Sequence, residues 1–453
     1  MIPRPLSTIA AEVGGRLEGP DGQVSQVVTD SRGPMSGALF VALVGERTDG
    51  ARFVPDALER GAVGALVHDR ADSPGSAIVV GSTGDALLRL GAAERERMHA
   101  RVVAVTGANG KTSTKDMAAA LLTTRFATHS SPGSFNNEIG LPMTLLGAPV
   151  GTEVVVAELG ARRKGDVALL CETARPEVVV VTNVGVAHIE IFGSWDAIVE
   201  ASAEPVEALG SEGCAVLNAD DPVVAGYGRR CAGRVVTFGG HADADVRAEH
   251  VSVGDDGVAS FSLRAGDDAA PVTLAVAGEH MVANALAAAT VGLTLGVPLE
   301  ACAAALRDAT VSPWRMETFT TAEGVRVVND AYNANPESMA AALKAARVMA
   351  GAGRLIAVLG HMAELGPIAT EEHERLGELA ARLPVDRLLT VGEPARMIAV
   401  AGAREGVEPD DVAAYDDSAG ALADVRRTAR PGDVVLVKGS RVAGLEAFAE
   451  ALR

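Results

Sequence analysis

Residues 106–115 read Thr-Gly-Ala-Asn-Gly-Lys-Thr-Ser-Thr-Lys and follow the apolar run Val102-Val103-Ala104-Val105 directly. A strand, a glycine turn and a helix start in that order make a phosphate cradle. Gly107 and Gly110 let backbone N–H groups approach phosphate oxygens, Lys111 reaches the β- and γ-phosphates, and the Thr112 hydroxyl is placed to ligate Mg²⁺. Asn109 and Ser113 lie in the same turn and are counted among the nucleotide contacts. The helix expected over 114–122 aims its positive N-terminus at the anion. Val105 stands where the general Walker A pattern needs glycine, so this is the narrower T-G-x-x-G-K-T form.

Further polar groups fall at strand ends, where ligands collect in open α/β sheets. Glu158 ends the apolar run 154–157 and is positioned to hold Mg²⁺ opposite Thr112. The next apolar run, 178–181, leads into Thr-Asn-Val-Gly-Val-Ala-His, and His188 is a candidate ligand for a second metal ion. Asn136 and Asn137 sit side by side in a polar loop. Asn137 is assigned to catalysis and Asn136 to substrate. Asn284, on an Ala-rich helix, carries the donor and acceptor that suit an adenine edge. Arg315 is a candidate second cation for the nucleotide. In Asn329-Asp-Ala-Tyr-Asn-Ala-Asn-Pro-Glu-Ser-Met339, Asn335 is a good helix N-cap with Pro336 at the first helical position. Capping leaves Asp330, Tyr332 and Asn333 unexplained. Asp330 is assigned to the nucleotide, and Tyr332, Asn333 and Asn335 to substrate.

These groups need an alternating α/β scaffold. The 453 residues suggest about three domains. Residues 1–97 carry short strands, with helices over 52–60 and 85–99. Residues 98–310 alternate strand and helix, which implies a mostly parallel sheet with crossover helices. Expected strands are 102–106, 153–158, 178–182, 215–218 and 235–238, with short antiparallel strands over 247–276. Residues 311–453 form a third, Rossmann-like α/β unit with strands at 325–330, 355–359, 387–391 and 434–438. Aromatics are only 3% of the chain, so the cores are built from Ala, Val and Leu.

The net charge of −19 argues against nucleic acid as a partner. No apolar run approaches a membrane span, and the N-terminus lacks a secretory apolar region, so a cytoplasmic protein without membrane insertion is expected. The four cysteines have no C-x-x-C spacing and read as small buried residues in a reducing compartment. Only five lysines occur: Lys111, Lys115, Lys164, Lys344 and Lys438. A monomer is expected.

Taken together, the cradle, residues 134–142, 158–160, 182–188, 218–221 and 436–441 resemble the Mur ligases, ATP-dependent amide-bond-forming enzymes of peptidoglycan assembly. The similarity extends to Thr29-Asp30-Ser31-Arg32 and residues 40–50. The 330–339 stretch is the most discriminating and looks like the branch that adds D-alanyl-D-alanine to a UDP-muramoyl-tripeptide. The resemblance implies three domains: an N-terminal one that binds the uridine nucleotide, with Ser31 and Arg32 on substrate; a central ATPase domain; and a C-terminal ligase domain. It also implies ATP and Mg²⁺, an acyl-phosphate intermediate, Lys111, Glu158, His188 and Asn137 in catalysis, and Lys438 and Arg441 on a substrate-facing loop. A ligase for another amino acid, or a paralogue that binds nucleotide without ligating, are the alternatives.

Two departures stand out. Family members usually carry a carbamylated lysine on the helix after the Thr-Asn-Val-Gly-x-Ala-His motif, where this chain has Ser202. Serine cannot form the carbamate, and Glu200 or Glu204 is expected to supply the carboxylate instead. Ala51 replaces a common histidine, which would alter uridine contacts without removing them.

Overall fold

A computed structural model describes residues 1–45, 48–69 and 75–453. Three principal sheets follow one another along the chain. The first has five strands in the order Arg16–Glu18, Ala77–Val79, Gly64–Val67, Ala38–Val41 and Gln26–Val28, parallel except for the first. Of the stretch 40–50, residues 46 and 47 lie outside the described residues.

The central sheet has nine strands. From one edge inward run Thr128–Ser130, Val154–Glu158, Arg101–Thr106, Val178–Val181, Cys214–Asn218 and Arg234–Gly239, all parallel. Val246–Val253, Val258–Ala265 and Asp268–Ala277 extend it as antiparallel hairpins. Side chains alternate across a strand. Val103, Val105, Val154, Val156, Val178 and Val180 therefore pack one face against the helices Lys111–Leu122 and Met281–Thr294. Val102, Ala104, Val155, Ala157, Val179 and Val181 pack the other against Gly140–Gly147 and Asp166–Ala174. Burial on both faces is why these strands read as unbroken apolar runs rich in valine.

With few aromatics, close helix approach makes the core. A Cβ on Gly292 would lie 2.3 Å from a Leu121 methyl and 2.9 Å from Cys302 Sγ. Cys171, Cys214 and Cys302 are buried and all four cysteines are free thiols.

The third sheet has six strands: Glu317–Thr320, Arg326–Asn329, Val434–Lys438, Leu355–Gly360, Arg387–Val391 and Val412–Tyr415. Only the first pair is antiparallel. The strands Thr128–Ser130, Glu317–Thr320 and Val412–Tyr415, not anticipated from the sequence, all lie at sheet edges. The helix after the glycine turn begins at Lys111, three residues earlier than expected.

Candidate active site

The cradle sits between the parallel strands Arg101–Thr106 and Val178–Val181, at their carboxyl ends. Its glycines are sterically required. Gly107 has φ +129° and an added Cβ would lie 2.1 Å from Thr182 Oγ1. Gly110 has φ +80° and its Cβ would lie 2.2 Å from Asn284 Oδ1. The Thr182-Asn183 pair braces the turn from behind. Thr182 Oγ1 donates to Asn109 O at 2.6 Å, and Asn183 Oδ1 accepts from Asn109 N at 2.8 Å.

Lys111 Nζ donates to Gly107 O at 2.7 Å and Ala108 O at 3.2 Å, at the mouth of the cradle. Burial lowers its proton affinity, Glu158 pulls it up and Arg315 pushes it down. Thr112 Oγ1 donates to Glu158 Oε2 at 2.6 Å. Asn136 Nδ2 donates to Glu158 Oε1 at 2.8 Å, so both carboxylate oxygens are aimed. Arg315 crosses from the linker before the third sheet. Its Nη2 reaches Thr112 Oγ1 at 2.7 Å and Ser134 Oγ at 2.9 Å, and its guanidinium lies 4.2 Å from the Tyr332 ring centre. Its Nε is buried with no hydrogen-bond partner among the described residues. A half-buried cation with a spare buried donor beside a glycine cradle fits a nucleotide phosphate. The hydroxyl of Thr112 and the carboxylate of Glu158 are hard oxygen donors that fit Mg²⁺.

The third domain also touches the cradle directly. Asn335 Oδ1 accepts from Ser338 N at 2.9 Å and caps the helix Pro336–Ala350, while its Nδ2 donates to Asn109 Oδ1 at 2.7 Å. His188 Nδ1 is hydrogen-bonded to Glu364 Oε2 of the third domain. Burial lowers the His188 proton affinity against the upward pull of Glu364.

Comparison with known proteins gives the family. The Mur ligase middle domain matches residues 105–292, the Mur ligase glutamate ligase domain residues 314–441, and the Mur ligase family catalytic domain residues 23–109. The UDP-N-acetylmuramoyl-tripeptide–D-alanyl-D-alanine ligase of Mycobacterium tuberculosis is 40% identical, over 100% of this chain and 98% of its own. The chain belongs to the Mur ligase family. The enzyme of the same name from Escherichia coli is 35% identical, over 100% of this chain and 99% of its own. The MurF structure from Acinetobacter baumannii superposes with a TM-score of 0.90 at 31% identity, covering 99% of this chain and 98% of that one. The MurF ligase of Thermotoga maritima, solved with ADP, gives a TM-score of 0.81 at 29% identity, over 94% and 96% of the two chains. The three-domain α/β fold is that of this Mur ligase branch.

Several residues stand differently from their sequence assignments. Asn137 does not share Asn136's place: its Oδ1 accepts from Gly140 N at 2.9 Å and Ile139 N at 3.3 Å, closing an exposed turn. Asn136 is the one directed at Glu158. Lys438 is buried and its donors are taken by Asp330 Oδ2 at 2.5 Å, Asn333 O at 3.0 Å and Asp330 O at 3.4 Å. Through these bonds it secures the 330–333 loop. Asp330 Oδ1 accepts from Met316 N at 3.0 Å. Asn284 is buried, with Nδ2 3.3 Å from Met281 Sδ and Oδ1 against the cradle. Ser113 is buried on the first helical turn, and Asn333 is exposed.

Arg441 pairs with Glu446 at 2.9 Å and lies 4.8 Å from the Trp314 ring centre. In the first domain, Ser31 O accepts from Arg60, and Arg32 is ion-paired with Asp30 at 2.7 Å. The hydrogen bond from Arg32 holds the Asp30 carboxyl at about 2.

The two carboxylates expected to replace the missing lysine are otherwise engaged. Glu204 accepts from Gly165 N at 2.7 Å and Ala168 N at 3.1 Å, capping the helix Asp166–Ala174, while Glu200 pairs with Arg230 at 2.7 Å. Sequence reasoning assigned no role to Ser134, Lys115 or Glu364. Lys115 is buried and donates to Ser131 O at 2.6 Å and Gly133 O at 2.9 Å, holding the loop that carries Ser134 and Asn136. Ser134 and Lys115 lay inside motifs already singled out. Glu364 was legible only as a carboxylate shortly after a strand end.

Proposed function

We infer that this chain is an ATP-dependent amide ligase that joins D-alanyl-D-alanine to UDP-N-acetylmuramoyl-tripeptide in peptidoglycan synthesis. The observation that carries the reading is the Asn335–Asn109 hydrogen bond. It ties the stretch most particular to the dipeptide-adding branch to the phosphate cradle itself.

The chemistry proceeds in two transfers. The terminal carboxylate of the tripeptide attacks the γ-phosphorus of ATP, forming an acyl phosphate and releasing ADP. The amine of D-alanyl-D-alanine then attacks the acyl carbon, and the tetrahedral intermediate expels inorganic phosphate as the amide forms and the amine gives up a proton. The first step brings two anions together, so Lys111 and Arg315 are assigned to neutralise phosphate charge. Thr112 and Glu158 would hold Mg²⁺, with His188 at a second ion. Bound metal supplies charge screening and orientation of the phosphates. Asn136 fixes the Glu158 carboxylate. The third domain, docked through Arg315, Asn335 and Glu364, shields the acyl phosphate from water.

ATP and a UDP-linked substrate are cytoplasmic metabolites, which supports a cytoplasmic site of action. Among the described residues no helix is long and apolar enough to cross a membrane. The test is product mass from ATP, Mg²⁺, UDP-N-acetylmuramoyl-tripeptide and a panel of amino acids and dipeptides. An adduct with D-alanyl-D-alanine is expected. An adduct with a single amino acid in its place, or no adduct from a nucleotide-bound protein, overturns the reading.

A further inference from the structure

The segments 188–190 and 364–366 meet across the gap between the second and third domains, and their backbones are shaped for it. His188 and Glu364 both adopt left-handed conformations, at φ +62° and +61°, a region disfavoured for residues with a Cβ. Such conformations persist where the surroundings enforce them, and they gather at functional sites. Here each turns a side chain toward the other. Glu190 N donates to Glu364 O at 3.3 Å, a backbone bond between domains. Gly366, at φ +50°, lies so close that an added Cβ would sit 3.0 Å from Glu190 Cβ. The Glu364 carboxylate is shared. Oε2 meets His188 Nδ1, and Oε1 lies 3.6 Å from Arg162 Nη2, on the loop that follows the Glu158 strand.

An ionised carboxylate is acceptor-only, so the proton of the His188–Glu364 hydrogen bond belongs to Nδ1. That leaves the Nε2 lone pair of a neutral imidazole free. A carboxylate on the far nitrogen is the usual device for setting the tautomer and ring orientation of a ligating histidine. We propose that Glu364 is a positioning residue for His188, delivered by the third domain, so that docking of that domain completes the orientation of the imidazole in the central domain. The site is thereby assembled only when the two lobes meet. The proposal rests on the placing of His188 at the reacting centre made above.

The test uses the full-length protein labelled with ¹⁵N-histidine. The His188 signal is assigned by its loss in His188→Gln. In the unaltered chain it is expected to report protonated Nδ1 and unprotonated Nε2. Glu364→Ala should shift that signature toward a mixture of tautomers and lower kcat by about 10- to 100-fold, with KM for ATP changed much less. Glu364→Gln keeps an acceptor oxygen without the charge and should fall between the two. Gly366→Ala touches neither side chain, yet it pries the segments apart and should move the signature in the same direction.

A Glu364→Ala protein with the unaltered signature overturns the proposal, whether or not kcat falls. So does one whose kcat stays within about twofold of the unaltered enzyme. If Glu364→Ala does not fold, Glu364→Gln is judged by the same two criteria. Ligation by the unaltered enzyme is assayed alongside. Its absence would sink the functional reading, while the imidazole signature still judges the pairing of Glu364 with His188.

Discussion

Asn335 serves two domains with one amide: its oxygen caps the helix Pro336–Ala350, and its nitrogen reaches Asn109 in the phosphate cradle. The two roles separate by substitution. Serine is as good an N-cap as asparagine but is too short to span to Asn109. Asn335→Ser is therefore expected to hold the melting temperature of the third domain nearly constant while kcat/KM for ATP falls about tenfold, equivalent to about 1.4 kcal/mol. Calorimetry and steady-state kinetics on the same preparation check it. A variant that loses stability but not activity would show that the cap is the whole of its role.

Neighbouring asparagines should behave oppositely. Asn136→Ala removes the donor to Glu158 Oε1 and leaves that carboxylate free to rotate away from Thr112. A loss of kcat of about 10²-fold is expected, with little change in folding. Asn137→Ala removes only a turn closure at Ile139 and Gly140. It should lower stability by about 0.5–2 kcal/mol and leave kcat nearly unchanged. Urea unfolding and single-turnover rates on both variants would decide, and equal kinetic losses would refute the distinction.

What could be read in advance follows from how local each determinant is. The cradle is one continuous segment whose glycines, lysine and threonine take their positions from a strand and a helix, so its strand–turn–helix geometry was legible in the chain. Asn136 and Asn137 are the same residue type side by side, and only the turn geometry decides which one faces Glu158. Lys438 looked like a free cation because its partners, Asp330 and Asn333, are far away in sequence and meet it only through adjacent parallel strands. The strand Thr128–Ser130 is three polar residues at a sheet edge, with no apolar run to betray it. Glu364 becomes meaningful only once the third domain lies against His188, a relationship no pattern within either segment encodes.

Gly110 is expected to tolerate no side chain. Alanine there incurs the left-handed penalty of roughly 1–2 kcal/mol, and its Cβ would overlap the Asn284 carboxamide oxygen, 2.2 Å away. Gly110→Ala should lower the melting temperature of the central domain and weaken ATP binding by more than tenfold. Removing the obstacle in Gly110→Ala/Asn284→Ala should restore part of the stability, because the overlap goes and the backbone penalty stays. A double-mutant cycle by thermal unfolding gives the coupling, and strictly additive effects would mean the two residues do not touch.

His373 is expected to make the third domain acid-sensitive. It is buried, its Nε2 accepts from Met362 N at 2.9 Å and its Nδ1 donates to Ala369 O at 2.6 Å, which is the neutral ring. Burial pushes its proton affinity below the ordinary 6.5. Below that pH the unfolded chain binds the proton and the folded one resists it. Its contribution is thus intact above about 6.5 and is lost as pH falls from there toward the folded value. The third domain's melting transition should drop over that interval. In His373→Asn the transition should start lower and lose that part of its pH dependence. An unchanged slope would assign the acid sensitivity elsewhere.

Lys111 sets stability against activity. Burial is the largest influence on its ammonium, ahead of the attraction of Glu158. A buried charge awaiting an anionic ligand weighs on the fold that holds it. Lys111→Met keeps the aliphatic length and removes the charge, so the nucleotide-free central domain should melt higher, by about 2–4 °C for each kcal/mol relieved. The gain should shrink as pH rises toward 10.5, the ordinary value for lysine, because there the unaltered protein sheds the proton that costs it stability. Added ATP should reverse the order, stabilising the unaltered protein and leaving the variant where it was. Turnover should fall by at least about 10³-fold, since the cation assigned to the transferred phosphoryl group is gone. Calorimetric scans with and without nucleotide at pH 7 and pH 9.5 measure all of this. A variant that melts lower without ATP would mean that the carbonyl bonds to Gly107 and Ala108 outweigh the desolvation of the charge.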